Sequence, residues 1–367
     1  MTAEKIMRTP RAIDIAVTND CNLRCSYCSH FSSPGDVKHD LQAEEWLQFF
    51  KELNECSVMR VVLEGGEPFY RKDIFEIIEG IVKNRMRYSI LTNGTLITED
   101  IARFLSSAKR CDAVQVSIDG SNENIHDIYR GKGTFQKAIN GLKCLKENGV
   151  PVTVRVTIHK ENVTDLENVA KLLLEDIGIP TFSTNSASYM GLCQQNSKKI
   201  RLDTNDRMLA MNALLKLTKK YPGRIHATAG PLADAKAWME MEKARKEGND
   251  IQGRGYLTGC GCPFERLAVR ADGVIVPCQL LSQIELGRIN EDRLIDIWQR
   301  HPEMIRLRER RMIPLNNFDL CSDCEYIKYC TGNCPANTYN ITGNLDHPDP
   351  DGCLRTFLRN GGKIPET

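Results

Sequence analysis

The chain has 367 residues, a formal charge of +1, mixed charges throughout, and 15 cysteines. No basic block or aromatic-basic interleaving suggests nucleic acid, and no apolar run reaches the length of a membrane span or signal-peptide core, so neither nucleic acid nor membrane is expected as a partner. The expected compartment is the cytoplasm, where so many cysteines point to thiolate ligands rather than disulfides.

Residues 13–18 form an apolar run of strand character that leads into Cys-Asn-Leu-Arg-Cys-Ser-Tyr-Cys. Cys21, Cys25 and Cys28 thus stand at CxxxCxxC spacing. A structural zinc site wants four ligands, and iron-sulfur electron carriers take four cysteines, so a lone triplet fits a cluster with one iron open to chemistry. A helical stretch follows at 43–51, and then a buried strand at 59–64 that ends in Gly65-Gly66-Glu67-Pro68. Further strand candidates at 89–92, 113–116 and 152–157 alternate with helical stretches at 135–142 and 163–174, the βα alternation of a parallel sheet.

The triplet, the Gly-Gly-Glu-Pro turn, the strand 114–120, the run His126-Asp-Ile-Tyr-Arg130 and Gly133-Thr-Phe135 together resemble the radical S-adenosylmethionine (SAM) enzymes. The resemblance implies an α/β fold, a partial (β/α)6 TIM-type barrel over residues 8–230, with the motifs at the C-terminal strand ends where barrel chemistry sits. It implies that Cys21, Cys25 and Cys28 hold a [4Fe-4S] cluster whose open iron chelates the amino and carboxylate groups of SAM. Gly65 and Gly66 would let the backbone approach that ammonium, and Glu67 would fix the backbone or the cation. Ser117 would contact the ribose or carboxylate, Arg130 the carboxylate, and Tyr27 would lie near the adenine.

Helical candidates at 207–221 and 232–246 cover the barrel or wall its cavity, and residues 231–259 read as a helical bridge. Beyond it, Cys262, Cys278, Cys321, Cys324, Cys330, Cys334 and Cys353, with Leu286-Gly-Arg-Ile-Asn290 and Leu294-Ile-Asp-Ile-Trp298, resemble a SPASM domain over 260–367. Such a domain implies two auxiliary [4Fe-4S] clusters, the second on Cys321, Cys324, Cys330 and Cys353. The first takes Cys262, Cys278 and Cys334, with Cys260 as its fourth ligand or an iron left open. Cys56, Cys111, Cys144 and Cys193 read as small buried hydrophobes, with Cys193 kept as a candidate hydrogen donor near the barrel mouth.

These parts imply reductive cleavage of SAM to a 5′-deoxyadenosyl radical, then oxidation, cross-linking or thioether formation on a peptide or protein. An electron carrier would have no use for the Gly-Gly-Glu-Pro turn, Ser117 or Arg130. Anaerobic sulfatase-maturing enzymes place an aspartate base after the cysteine that matches Cys278, whereas this chain has Gln279, which disfavours that activity. The alternative is a radical dehydrogenase or epimerase of a small molecule such as an aminoglycoside-like sugar. A flavodoxin- or ferredoxin-type reductant is implied. The short stretch before the first strand leaves leader recognition to a separate protein, to the barrel surface, or to neither.

Overall fold

A computed structural model describes residues 6–366. Among them, ten strands form one sheet: β1 Ala12–Thr18, β2 Arg60–Gly65, β3 Arg87–Thr92, β4 Cys111–Ser117, β5 Val152–Ile158, β6 Phe182–Ser186, β7 Ile225–Ala227, β8 Arg266–Val269, β9 Val274–Val276 and β10 Gly287–Arg288. Their order is β10-β9-β8-β1-β2-β3-β4-β5-β6-β7, parallel from β8 to β7 and antiparallel through β9 and β10.

The two faces of the strands are read from their alternation. Ile13, Ile15 and Val17 of β1, Val61 and Leu63 of β2, and Val114 and Val116 of β4 are fully buried under the surrounding helices. One of those helices, Ala43–Glu55, presents Trp46, Phe49, Phe50 and Leu53 at helical spacing to them. The intervening residues point to the inside of the curved sheet: Asp14, Glu64, Ser117, Arg155, Ser183 and Arg266. The barrel interior is therefore polar.

The strand β6 has only one large apolar residue, Phe182, and no periodicity announced it. It forms because β5 and β7 pair with it on both sides, from Val154↔Phe182 and Phe182↔Ile225 onward. The helix expected at 163–174 is split into Leu166–Lys171 and a π turn at Leu172–Asp176.

The sequence divides the chain into a barrel over 8–230 and a domain over 260–367, and the structure joins the two. β8 pairs in parallel with β1, from Ala12↔Arg266 to Ile15↔Val269, so the C-terminal segment extends the barrel sheet itself. One apolar core runs from Ile13 and Val17 through Leu267, Ile275 and Trp298 to Leu345. Gln279 ties this seam, its Nε2 donating to Val269 O at 3.0 Å and Asp14 O at 3.4 Å. A smaller cluster joins helices Thr204–Lys220 and Pro231–Glu247, through Met211, Trp238 and Met241, to Tyr326, Tyr329 and Phe357. Its methionines are packing residues. Cys193 is fully buried, but Cys56, Cys111 and Cys144 are only half-buried. Among the described residues, no helix is long and apolar enough to cross a membrane.

The turn after β2 fits against the loop after β1. Gly66 N donates to Thr18 O and Glu67 N to Asp20 O, both at 2.8 Å. A Cβ on Gly66 would lie 1.9 Å from Asp20 O, and one on Gly65, whose φ is +120°, would lie 2.3 Å from Thr18 O. Both glycines therefore admit the backbone of the cysteine loop. Gly66→Ala is expected to destabilise the protein by about 3 kcal/mol through this overlap and to lower its iron content after reconstitution, measured by urea unfolding and iron assay.

Candidate active site

The loop that follows β1 carries the first three cysteines and is anchored at each end. Asp40 accepts from Asn19 N at 2.8 Å and from the Thr18 hydroxyl, which fixes the exit from β1. Further along, Ser26 N donates to Tyr129 O at 2.8 Å, and Cys28 O accepts from Cys193 N at 3.1 Å. The three thiols lie close enough to act on one another. Burial pushes Cys21 up to about 11 and Cys25 up to about 12, and the neighbouring cysteines add to both shifts. Leu23 N, 3.4 Å from Cys21 Sγ, and Asn93 Nδ2, at 3.8 Å, offer N–H groups to that sulfur. A donor set of three clustered thiols with N–H groups aimed at a sulfur fits an iron-sulfur cluster.

Beside this loop lies a carboxylate that the sequence did not single out. Asp119 is 1% exposed and gathers three elements. Its Oδ2 pairs with Arg130 Nε at 2.6 Å and accepts from the Tyr27 hydroxyl, while Oδ1 accepts from Thr157 N at 2.8 Å. Burial pushes the Asp119 carboxyl up, but Arg130, His126 and His159 outweigh it and hold it at about 2. Arg130 also lies 5.3 Å from the Tyr27 ring, which stacks at 6.1 Å on His159. Tyr27 and Arg130 are therefore brought together by Asp119, with Ser117 at the end of the strand that leads to it. In the same motif, Asp127 accepts from Phe135 N at 2.8 Å and Thr134 Oγ1 at 3.0 Å, fastening the start of helix Thr134–Glu147.

Of the two roles open to Glu67, the structure shows the backbone one. Its Oε1 accepts from Phe69 N at 3.2 Å and Thr92 Oγ1 at 2.7 Å, and its Oε2 from Asn93 N at 2.7 Å. Burial raises the carboxyl to about 7 against these hydrogen bonds. The crowding at Gly65 and Gly66 likewise comes from the cysteine loop, so their visible task is to seat that loop. Cys193 has no exposed surface and packs with Tyr129, Ala187 and Ile200, a place that suits backing of the loop rather than hydrogen donation.

The C-terminal cysteines fall into two sets. Cys260 and Cys262 act on each other first, one lowered and the other raised by their contact. Cys278 feels Cys334 and Cys260, and Cys334 feels Cys260. Cys321, Cys324, Cys330 and Cys353 form the second set: Cys330, Cys353 and Cys324 all raise Cys321, after burial, which puts it at about 12. Cys260 thus acts on Cys262, Cys278 and Cys334 rather than on the second set. Among the described residues, no three His, Cys, Asp or Glu side chains converge tightly enough to hold a single metal ion. Ligands of a four-iron cluster sit on different irons and stand farther apart.

Between the cysteine loop and the first quartet lies the polar barrel interior. Arg266 Nη1 is 3.3 Å from Asp14 Oδ2, and Arg155 Nε donates to Ser183 Oγ at 2.8 Å. Glu64 faces this group; burial raises its carboxyl to about 8, Asp14 adds to the shift, and Arg266 and Arg155 oppose it. Its period-two position on β2 was the only sequence signal for this role.

A model of the radical SAM superfamily matches residues 15–173, and one for an iron-sulfur cluster-binding domain, SPASM, matches residues 260–325. The AdoMet-dependent heme synthase of Methanosarcina barkeri is 28% identical over 351 residues, 93% of this chain and 95% of the synthase. A PqqA peptide cyclase of Granulibacter bethesdensis is 26% identical over 358 residues, 93% of this chain and 86% of the cyclase. The fold is similar to that of Streptococcus suis SuiB bound to its precursor peptide SuiA, with a TM-score of 0.73 at 18% identity, covering 95% of this chain and 77% of SuiB. It is also similar to anSMEcpe with bound AdoMet and a peptide, with a TM-score of 0.69 at 20% identity, covering 95% and 96%. The two matching domains imply [4Fe-4S] clusters and SAM as cofactors.

Asp119→Asn leaves Arg130 buried without its charge partner. It is expected to cost about 3–5 kcal/mol and to weaken SAM binding by loosening Tyr27, read by urea unfolding and by equilibrium dialysis with labelled SAM.

Proposed function

We propose that this member of the radical SAM superfamily, which carries a SPASM domain, cleaves SAM reductively and oxidises a peptide or protein substrate. The observation that carries the reading is the mutual influence of its cysteines within one triplet and two quartets, with a polar barrel interior between the triplet and the first quartet. Cys21, Cys25 and Cys28 would hold the SAM-binding cluster. Cys260, Cys262, Cys278 and Cys334 would hold the first auxiliary cluster, and Cys321, Cys324, Cys330 and Cys353 the second. When bound, the cluster and SAM supply a 5′-deoxyadenosyl radical that takes a hydrogen atom from the substrate.

The protein's own groups orient and protect that event. Arg130, held from one side by Asp119, would turn the rest of its fork to the SAM carboxylate, and Tyr27 would flank the adenine. Ser117 would contact SAM from the end of β4. Gln279, engaged with two backbone carbonyls, has no part as a base. Glu64 is the interior carboxyl free to accept a proton from the oxidised substrate, in its ionised form. The reductant would be a flavodoxin- or ferredoxin-type protein.

Support for a peptide comes from the PqqA peptide cyclase relative and from the two structural neighbours with bound peptides, SuiB and anSMEcpe. A second reading, action on a tetrapyrrole, is favoured by the heme synthase relative, whose length this chain covers almost completely. A short peptide encoded beside the gene that gains a mass change under turnover supports the first. Tight binding of heme, seen as a shift of its absorption band, with no peptide turnover, favours the second.

Cys25→Ala is expected to abolish 5′-deoxyadenosine formation with dithionite, whereas Cys324→Ala should keep uncoupled cleavage and lose substrate turnover. Equal loss in both variants, with equal folded content, contradicts this division. For Glu64, the ionised fraction grows as pH rises through about 8, so substrate turnover should increase over that window. Glu64→Gln should flatten the rise while leaving 5′-deoxyadenosine formation unchanged.

A further inference from the structure

Two buried arginines stand beside the first C-terminal quartet. Helix Pro302–Glu309 contributes Arg308, and the turn Arg310–Met312 contributes Arg310; the two are 6% and 3% exposed. Arg308 Nε donates to the carbonyl of Pro263, the residue after Cys262, at 2.9 Å, and its guanidinium lies over the Trp298 ring at 4.5 Å. Neither of its Nη atoms has a hydrogen-bond partner.

Arg310 lies within electrostatic reach of Cys260 and Cys334. Its carboxylate neighbour is Asp346, whose Oδ1 is 3.3 Å from Arg310 Nε, and Asp346 is also taken by the more exposed Arg306 at 2.8 Å. With Nε facing Asp346, Nη2 of Arg310 still makes no hydrogen bond. Leaving buried guanidinium N–H groups unmet is costly, and such groups normally find an acceptor.

The second quartet has a different setting. The cation acting on Cys321 and Cys324, Arg355, is half-buried and spends Nη1 on the carbonyls of Leu320 and Ser322, and Glu325 adds an opposing charge at Cys324. Solvent screens such a pair far more than it screens Arg310.

A four-cysteine cluster is anionic and gains one further negative charge on reduction. Its potential is set by nearby charge, hydrogen bonds to its sulfurs and exposure. We propose that Arg310 turns its unmet Nη2 to the sulfurs of the cluster held by Cys260, Cys262, Cys278 and Cys334, which makes that centre easier to reduce than the one held by Cys321, Cys324, Cys330 and Cys353. The inference rests on the ligand sets proposed above. It orders the two auxiliary centres as electron acceptors, with the one adjoining the barrel sheet first.

The test is a redox titration of the reconstituted protein followed by electron paramagnetic resonance, with the auxiliary signals assigned through the Cys324→Ala variant. Arg310→Gln should lower the reduction constant of the first auxiliary cluster about tenfold, or about 59 mV for one electron. Asp346→Asn, which frees Arg310 of its competing carboxylate, should shift the same cluster the opposite way, and the other auxiliary centre should stay unmoved in both. Equal potentials in the wild type and Arg310→Gln, shifts of one sign in both variants, or an equal shift of the distal centre each overturn the inference. If Arg310→Gln fails to assemble that cluster, Asp346→Asn decides alone: an unmoved or lowered potential refutes the role of Arg310. Iron analysis separates the premises, because a wild type with fewer than two auxiliary clusters defeats the ligand sets themselves.

Discussion

The arrangement of the candidate active site depends on the ionised carboxylate of Asp119. Buried almost completely, it is held charged by Arg130, and it gathers donors from the cysteine loop, from helix Glu123–Arg130 and from β5. A buried carboxylate of this kind is tolerable only with its lone pairs filled, so each partner is fixed by the others. Tyr27 cannot swing without unsatisfying Asp119, and Arg130 cannot leave without stranding it. The geometry around the triplet is thus set before any cosubstrate arrives, which is what positioning a reactive group requires.

A second constraint works on the opposite side of the loop. Glu67 links the turn after β2 to the end of β3 through two donors, Thr92 Oγ1 and Asn93 N, and the two glycines before it let that turn touch the backbone of the cysteine loop. The loop is held between these two carboxylate networks. Its cysteines can approach one another because the backbone on either side has nowhere else to go.

Much of this was legible in the sequence, for identifiable reasons. The strands β1 to β5 carry alternating or continuous apolar residues, the helices repeat at helical spacing, and the cysteine spacings mark metal chemistry without structural help. β6 was silent because Phe-Ser-Thr-Asn-Ser has one apolar anchor and takes its conformation from neighbours on both edges. Asp119 was silent too: an aspartate before a glycine at a strand end reads as a turn residue, and only the fold shows which donors meet it. The extension of the barrel sheet by β8 could not be read either, since four residues of strand, Arg-Leu-Ala-Val, carry no mark of a partner more than 250 positions away.

That extension matters most for the chemistry. By pairing with β1, β8 places Arg266 against Asp14 inside the barrel, while Cys262 stands just before β8 and Cys278 just after β9. The first quartet is therefore built on the same sheet whose other strand ends carry Cys21, Glu67 and Ser117. A substrate in the polar interior would lie between the proposed radical-forming cluster and an electron acceptor, with Glu64 alongside. Gln279 reinforces this geometry by bonding to carbonyls of both β8 and β1. The position that could have carried a base instead locks the seam, and under the proposed function the proton-accepting role would fall to a carboxyl on β2, whose acidity is set by burial and by Asp14, Arg266 and Arg155 around it.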